Sequence, residues 1–180
     1  LASAIPPVDD GSKPVRIGIC LPRHAHYIPC IVATTMLHCS YVPIDVNTPE
    51  NRKENIISDA GIDFMITEEN LSQLLDTCPS DSIKDLTSSI SEAYMIYTSG
   101  TSGVPKGVSI SYTALNHFMQ QVCLPEVYNI SSSSVILQFA SINFDASVLE
   151  IFSSLYWGGT LVIAQEEDRH DVNRLCNLII

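Results

Sequence analysis

Short β-rich runs alternate along the chain with longer segments whose apolar residues recur at helical spacing, and this alternation constrains the fold most. The pattern predicts strands at 15–20, 41–44, 62–66, 93–97, 107–110, 135–139 and 160–164. It predicts helices at 25–38, 49–60, 112–124, 146–157 and 171–180. Strands and helices in alternation are typical of βα units, so we expect an α/β fold around a mostly parallel sheet.

Several helix boundaries carry local signals. Thr48 precedes a proline and an acidic residue, which is typical of a hydroxyl N-cap followed by proline at the first helical position. Gly61 and the pair at 158–159 are expected to end helices, because glycine adopts left-handed backbone angles without a Cβ penalty. The Ser/Thr-rich residues 77–91 are expected to form a surface connection.

The composition indicates a soluble globular protein that does not bind nucleic acid. Of its 180 residues 46% are apolar and 16% are charged, which is unlike a disordered chain. The formal net charge of −11, without a cluster of Lys and Arg, argues against contact with a nucleic-acid backbone. The net charge does not exclude a small anion such as a nucleotide, which needs only a local positive site.

Cysteine, histidine and hydropathy patterns predict neither a metal site nor a membrane segment. The six cysteines form no CxxC pair, so we expect reduced thiols in a cytoplasmic protein. His24 and His26 have no third ligand of suitable type nearby. The uncharged stretch 27–44 contains two prolines and several polar residues, which favours a buried helix and a strand over a membrane span. No secretory signal is recognisable at the start.

The stretch YTSGTSGVPKG, residues 97–107, follows a predicted strand and has the composition of an anion-binding loop. Gly100 and Gly103 allow backbone N–H groups to point into one concavity, and four neighbouring hydroxyls add donors. Lys106 adds a mobile positive charge that suits phosphate. A P-loop would place its lysine at a helix start, whereas here a strand is predicted to follow. The alternative is a flexible connection without a ligand.

Three stretches resemble motifs of the adenylate-forming, or AMP-binding, superfamily. AYMIYTSGTSGVPKGV resembles the phosphate-binding signature that acyl-CoA synthetases, luciferases and adenylation domains of nonribosomal peptide synthetases share. YVPIDVNTPENRKENIISDAGIDFMIT and FASINFDASVLEIFSSLYWGGTLVI resemble two further motifs in the expected order, and their residues favour the amino-acid branch. The stretch TTMLHCS before YVPID departs from the family pattern.

The resemblance implies roles for particular residues. The ATP phosphates would be bound by Thr98, Ser99, Gly100, Thr101, Ser102, Gly103 and Lys106, with the lysine at the pyrophosphate end. Asp145 would pair with the α-amino group of the substrate, and Ala146 and Leu149 would line its side-chain pocket. The alternative for Asp145 is a helix N-cap. Glu150 is expected to be solvated or to pair within its helix.

The implied reaction is ATP-dependent activation of an amino acid carboxylate to an aminoacyl-adenylate, followed by transfer to a carrier-protein thiol. The implied cofactors are ATP, Mg²⁺ and the phosphopantetheine of a carrier domain outside this chain. Positioning and charge stabilisation carry such chemistry, so no residue is assigned as a catalytic acid or base.

Residues 1–180 resemble part of the larger N-terminal subdomain of an adenylation domain. We expect truncation at both ends, because the opening motif and the later adenine, ribose and catalytic-lysine motifs are not recognisable. The chain alone is therefore expected to be inactive. The alternatives are an acyl- or aryl-CoA ligase, against which Asp145 argues, and a non-catalytic nucleotide-binding remnant.

Overall fold

The computed structural model describes residues 13–24, 26–76, 92–98 and 105–179. It divides into two compact units. Unit 1 comprises the chain up to Pro22 together with His26–Tyr112, and unit 2 comprises Arg23–Ala25 together with Thr113–Ile180. Each predicted strand lies within one unit, so the two units can be described separately.

Unit 1 is a five-stranded, mostly parallel sheet with helices between its strands. The strands are β1 (Arg16–Cys20), β2 (Ser40–Pro43), β3 (Phe64–Thr67), β4 (Glu92–Thr98) and β5 (Lys106–Ser111). The helices are α1 (Tyr27–Met36), α2 (Glu50–Ala60) and α3 (Glu68–Asp76). The strand order is β3-β1-β2-β4-β5, and every pairing is parallel except that of β4 with β5.

The core of unit 1 forms where α2 covers the centre of the sheet. The buried cluster joins Val42 and Ile44 from the β2 end, Ile56 and Ala60 from α2, and Met95 and Tyr97 from β4. The β1 and β2 strands are almost continuously buried, as expected where both faces of a parallel sheet are covered. The α2 helix ends at Gly61, whose φ of 57° lies in the left-handed region that glycine tolerates.

Unit 2 is built on a parallel βαβ arrangement. Its elements are α4 (Tyr112–Val122, whose first residue belongs to unit 1), β6 (Val135–Gln138), α5 (Asp145–Trp157), β7 (Thr160–Ile163), α6 (Glu166–Arg169) and α7 (Val172–Ile179). The β6 and β7 strands pair in parallel, and α5 packs against both. Val148 and Ile151 of α5 are almost fully buried, which places the apolar face of that helix on the two strands.

The predicted α/β class and the mostly parallel sheet are confirmed, with differences at element ends. The α2 helix begins at Glu50, and Pro49 rather than Thr48 occupies its N-cap position with extended angles. Sequence analysis missed α3 and the four-residue α6, because both are short and lie between stronger signals. The predicted surface connection at 77–91 lies outside the described residues.

The described cysteines, which are Cys20, Cys30, Cys39, Cys123 and Cys176, are all free of disulfide bonds. Within the described ranges, no helix has both the length and the continuous apolar character that crossing a bilayer requires.

Candidate functional site

The predicted anion-binding loop joins β4 to β5 at the tip of an antiparallel hairpin. Thr98 at the end of β4 lies opposite Lys106 at the start of β5, and both residues are exposed. The hydroxyl of Thr98 donates a long hydrogen bond of 3.5 Å to the carbonyl oxygen of Lys106. The chain therefore enters a strand after the loop, as predicted. The predicted loop residues Ser99, Gly100, Thr101, Ser102 and Gly103 lie outside the described residues.

A tyrosine fixes the end of β4 just before this loop. The Tyr97 hydroxyl donates a 2.7 Å hydrogen bond to the carboxylate of Asp59 on α2. Burial, and then the neighbouring Asp59 carboxylate, raise the pKa of Tyr97, so the phenol stays protonated and keeps its donor. Gly107 lies opposite Tyr97, and a Cβ there would lie 3.0 Å from the tyrosine Cζ atom. Glycine at 107 therefore leaves room for the tyrosine ring.

A bidentate ion pair fixes the other end of the same hairpin. Arg16 donates to the two carboxylate oxygens of Glu92 at 2.8 and 2.9 Å, and the Ser109 hydroxyl donates to the same carboxylate. Arg16 also donates a 2.6 Å bond to the carbonyl of Ala60 at the end of α2. Burial raises the pKa of Glu92, but the hydrogen bonds from Arg16 and Ser109 outweigh burial and hold that pKa below its ordinary value.

Asp145 is the first residue of α5 in unit 2, and its side chain is exposed. The N-cap position belongs to Phe144, which has extended angles, and no side-chain capping bond forms at this helix start within the described residues. The capping alternative for Asp145 is therefore wrong. Ala146 is exposed, and Leu149 is half-buried one helical turn after Asp145, on the same side of the helix.

The turn between β6 and α5 is held by Glu150, which sequence analysis interpreted as solvated or as an intrahelical partner. That interpretation is wrong. The Glu150 carboxylate accepts the backbone N–H of Phe139 at 3.1 Å and that of Ala140 at 3.0 Å. It also accepts a 3.2 Å bond from the side-chain amide of Gln138. These contacts tie the middle of α5 to the residues that lead into its first turn.

Arg23 holds the carbonyl side of the same segment. Its guanidinium donates to the backbone oxygens of Gln138 at 3.1 Å and Ala140 at 2.5 Å, and to the Gln138 side-chain oxygen at 2.7 Å. The Gln138 side-chain amide also donates to the Ala140 oxygen at 2.8 Å. Gln138 is only 2% exposed. Sequence analysis missed Arg23 and Gln138, and a separation of 115 positions between them leaves no local signal.

Among the other residues of this motif, a serine is buried and two aromatic residues lie at the surface. Ser147 is buried and its hydroxyl donates a 2.7 Å bond to the carbonyl of Phe144. Phe144 and Trp157 are 66% and 45% exposed, so they are surface residues in this chain.

Among the described residues, no three His, Cys, Asp or Glu side chains come close enough together to bind a metal ion.

A sequence profile of the AMP-binding enzyme family matches residues 84–179, just over half of the chain. The chain belongs to the AMP-binding enzyme family. The matched range contains every residue to which sequence analysis assigned a ligand, and the predicted resemblance is confirmed.

Two relatives are far longer than this chain. The chain is 35% identical over 177 residues to malpinin synthetase of Mortierella alpina, covering 88% of this chain and 2% of that protein. It is 30% identical over 178 residues to HC-toxin synthetase of Cochliobolus carbonum, covering 85% of this chain and 3% of that protein. The chain thus spans a small fraction of the relatives that it matches.

Two solved structures share the fold. The nonribosomal peptide synthetase FmoA3 in its AMPPNP-bound form superposes with a TM-score of 0.79 at 20% identity, over 94% of this chain and 19% of that chain. The N-terminal subdomain of Klebsiella oxytoca NpsA, in complex with 3-hydroxyanthranilyl-AMSN, gives a TM-score of 0.72 at 26% identity, over 85% of this chain and 41% of that chain. The similarity confirms the fold class, which is that of an N-terminal adenylation subdomain.

Proposed function

We propose that the protein containing this chain uses ATP to convert an amino acid to its aminoacyl-adenylate and then transfers the aminoacyl group to a carrier-protein thiol. Residues 1–180 would supply the phosphate-binding hairpin and part of the substrate pocket of an adenylation domain. The proposed setting is the cytoplasm, with ATP, the amino acid and a carrier protein as partners.

The observation that carries the amino-acid assignment is the state of Asp145. Its carboxylate stands at the start of α5 without capping the helix, in a Phe-Asp-Ala-Ser sequence of the adenylation type. A carboxylate that the helix does not use is available to pair with an ammonium group. Ala146 and Leu149, on the accessible part of the same helix, are proposed to contact the substrate side chain.

The β4–β5 hairpin supports the ATP assignment. Thr98 and Lys106 lie opposite each other at the two ends of the glycine-rich loop, and a hydroxyl and an ammonium group at these two positions would suit phosphate oxygens. We assign the ATP phosphates to Thr98, Ser99, Gly100, Thr101, Ser102, Gly103 and Lys106. Mg²⁺ binds with few protein ligands and through substrate phosphates in such sites, so it would be brought by ATP and would offset phosphate charge.

The proposed chemistry requires positioning and charge stabilisation. A carboxylate oxygen of the amino acid attacks the α-phosphorus of ATP, and the bond from that phosphorus to the bridging oxygen breaks to release pyrophosphate. The phosphopantetheine of a carrier protein would supply the thiol that accepts the acyl group; its S–H proton would be lost as the C–S bond forms, and AMP would leave as the bond between the acyl carbon and the phosphate oxygen breaks. Lys106 would stabilise the negative charge that develops on pyrophosphate, and Asp145 would hold the amino acid so that its carboxylate is in line.

Pyrophosphate release by the full-length protein tests the proposal with matched pairs of acids. Each pair consists of an amino acid and the same compound without its amino group. We expect release with at least one amino acid and little with its deamino partner, because Asp145 would lose its counter-charge. Equal use of both compounds would instead favour an acyl- or aryl-CoA ligase, and ATP binding without any release would favour a non-catalytic remnant.

A further inference from the structure

We propose that Glu150 is a positioning residue for the substrate acid: its carboxylate holds the turn before α5 and thereby fixes the place of Asp145. The assignment rests on the proposed function, because it concerns the segment that would bind the amino acid. Glu150 itself is not assigned any contact with substrate.

The contacts of Glu150 are with main chain and join two parts of one motif. Its oxygens accept from the N–H groups of Phe139 and Ala140, which come eleven and ten residues earlier in the sequence. Those residues leave β6 and begin the turn that ends at Asp145. Glu150 lies five residues after Asp145 on the same helix, so its carboxylate sets the distance between the turn and the first turn of α5.

The opposite edge of the segment is fixed independently. Arg23 donates to the carbonyl oxygens of Gln138 and Ala140, so the N–H groups are held by an anion and the carbonyl groups by a cation. The Gln138 side chain bridges the two, because it accepts from Arg23 and donates to Glu150. Gln138 is buried and the Arg23 side chain is only 10% exposed, so this pair lies largely out of bulk water, where unpaired polar groups are costly.

The network has a consequence for substitutions. Glu150→Ala leaves the N–H groups of Phe139 and Ala140 without their acceptor, and the turn is free to move relative to α5. Glu150→Gln keeps the volume and one acceptor oxygen, but its amide nitrogen cannot accept a bond. A positioning role therefore predicts a graded series, in which the alanine variant is worse than the glutamine variant.

The test is steady-state pyrophosphate release by the full-length protein carrying Glu150→Ala, Glu150→Gln or Glu126→Gln. Glu126 is an exposed glutamate outside this network and serves as the matched control. For the acid that the wild type uses best, we expect Glu150→Ala to raise KM roughly tenfold to a hundredfold, as for loss of hydrogen bonds to a charged group. The KM of Glu150→Gln for the acid should lie between that of the wild type and that of Glu150→Ala. In both Glu150 variants, KM for ATP should change by less than about threefold.

Several outcomes would overturn the positioning role. Equal increases in the two KM values would indicate general disruption of the domain. A lowered melting temperature with unchanged KM for the acid would reduce Glu150 to a structural residue. If Glu150→Ala fails to fold, the KM values of Glu150→Gln test the proposal instead. Wild-type KM values in Glu150→Gln would then count against a positioning role.

Failure of the proposed function would be visible in the wild type. If the wild type uses deamino acids as well as amino acids, the amino-acid assignment fails, and the KM series for the preferred acid still judges Glu150. If Asp145 is right and Glu150 is wrong, the wild type discriminates between the two compounds and all three Glu variants keep wild-type KM values.

Discussion

The β4–β5 hairpin and the β6–α5 turn both depend on carboxylates, but these carboxylates bind different partners. In the hairpin, Glu92 and Asp59 bind side chains, namely Arg16, Ser109 and Tyr97. In the turn, Glu150 accepts from two backbone N–H groups in addition to the side-chain amide of Gln138. The hairpin strands already satisfy their main chain through pairing, whereas the turn leaves β6 and needs acceptors from elsewhere.

This difference indicates how each region tolerates change. Loss of a side-chain anchor in the hairpin leaves the ladder of β4 with β5 in place, so local geometry should shift little. Loss of Glu150 removes the acceptor of two main-chain groups at once. The proposed phosphate-binding loop is therefore supported by ordinary strand pairing, whereas the proposed substrate-binding turn depends on particular side chains.

The largest effect is expected from Asp145→Asn in the full-length protein. The neutral amide cannot balance the charge of a substrate ammonium group, so kcat/KM for the amino acid should fall by about a hundredfold or more. Pyrophosphate release measures this. Asp171→Asn is the matched control, since Asp171 does cap a helix by accepting the N–H groups of Asn173 and Arg174. Comparable losses in both variants would argue against a substrate role.

Lys106→Ala should have the next largest effect. Removal of one charge-assisted contact to phosphate should raise KM for ATP roughly tenfold to a hundredfold. Lys13→Ala removes an equally charged residue whose ammonium pairs with Asp63 at the surface, and it should leave KM for ATP unchanged. Normal ATP kinetics in Lys106→Ala would reduce the loop to a structural connection.

Tyr97→Phe should have a smaller and local effect. The substitution deletes the hydrogen bond to Asp59 and keeps the ring, which should lower the free energy of opening at the loop end of β4 by about 1 kcal/mol. Hydrogen exchange of peptides from 92–98 and 106–111 measures it. Tyr128→Phe changes a tyrosine that is 60% exposed and should leave exchange unaltered. If hydrogen-exchange protection in Tyr97→Phe is identical to that in wild type, the hydrogen bond to Asp59 does not stabilise the loop end of β4.

The smallest expected effect is a pH dependence from Glu92, where burial and hydrogen bonding partly cancel. Its pKa is lowered in the folded state, so the unfolded state binds more protons in acid. The ionised carboxylate therefore contributes stability above the ordinary glutamate pKa of about 4.3, and this contribution is lost as pH falls through the lower folded value.

Urea unfolding between about pH 3 and pH 6 measures that dependence. The free energy of unfolding should fall less steeply with acid in Glu92→Gln than in wild type. Glu166→Gln is the control, because the Glu166 pKa is also lowered, mainly by a hydrogen bond from Arg169, but its side chain is 54% exposed. Identical slopes for wild type and Glu92→Gln would contradict the assigned role of the Arg16 pair.

The fold could be predicted from sequence because its signals are local. β-rich runs, helical periodicity and glycine at helix ends indicated the α/β class, and Gly61 and Gly158 have the left-handed angles that this prediction requires. The α2 start shifted by one residue because Pro49 itself took the N-cap position. The α3 helix was missed because it follows β3 without an intervening turn signal.

The candidate site was less predictable because its supporting contacts are long-range. The hairpin and Asp145 could be located from composition and motif resemblance. The residues around Glu150 in the sequence resemble those around a solvated glutamate on a helix. Its contacts are with backbone groups about ten residues earlier, which reach it only once the turn before α5 has folded. Arg23 acts from the other end of the sequence. Contacts of this kind arise from tertiary packing and produce no periodic pattern in the sequence.

One comparison of affinities tests whether the hairpin and the α5 start bind different ligands. Calorimetric titration of the full-length protein would measure binding of ATP and of the preferred amino acid separately, in wild type, Lys106→Ala and Asp145→Asn. We predict that Lys106→Ala weakens ATP roughly tenfold or more and leaves the amino acid within about twofold, and that Asp145→Asn shows the reverse. Equal weakening of both ligands in both variants would contradict the division of roles between the two regions.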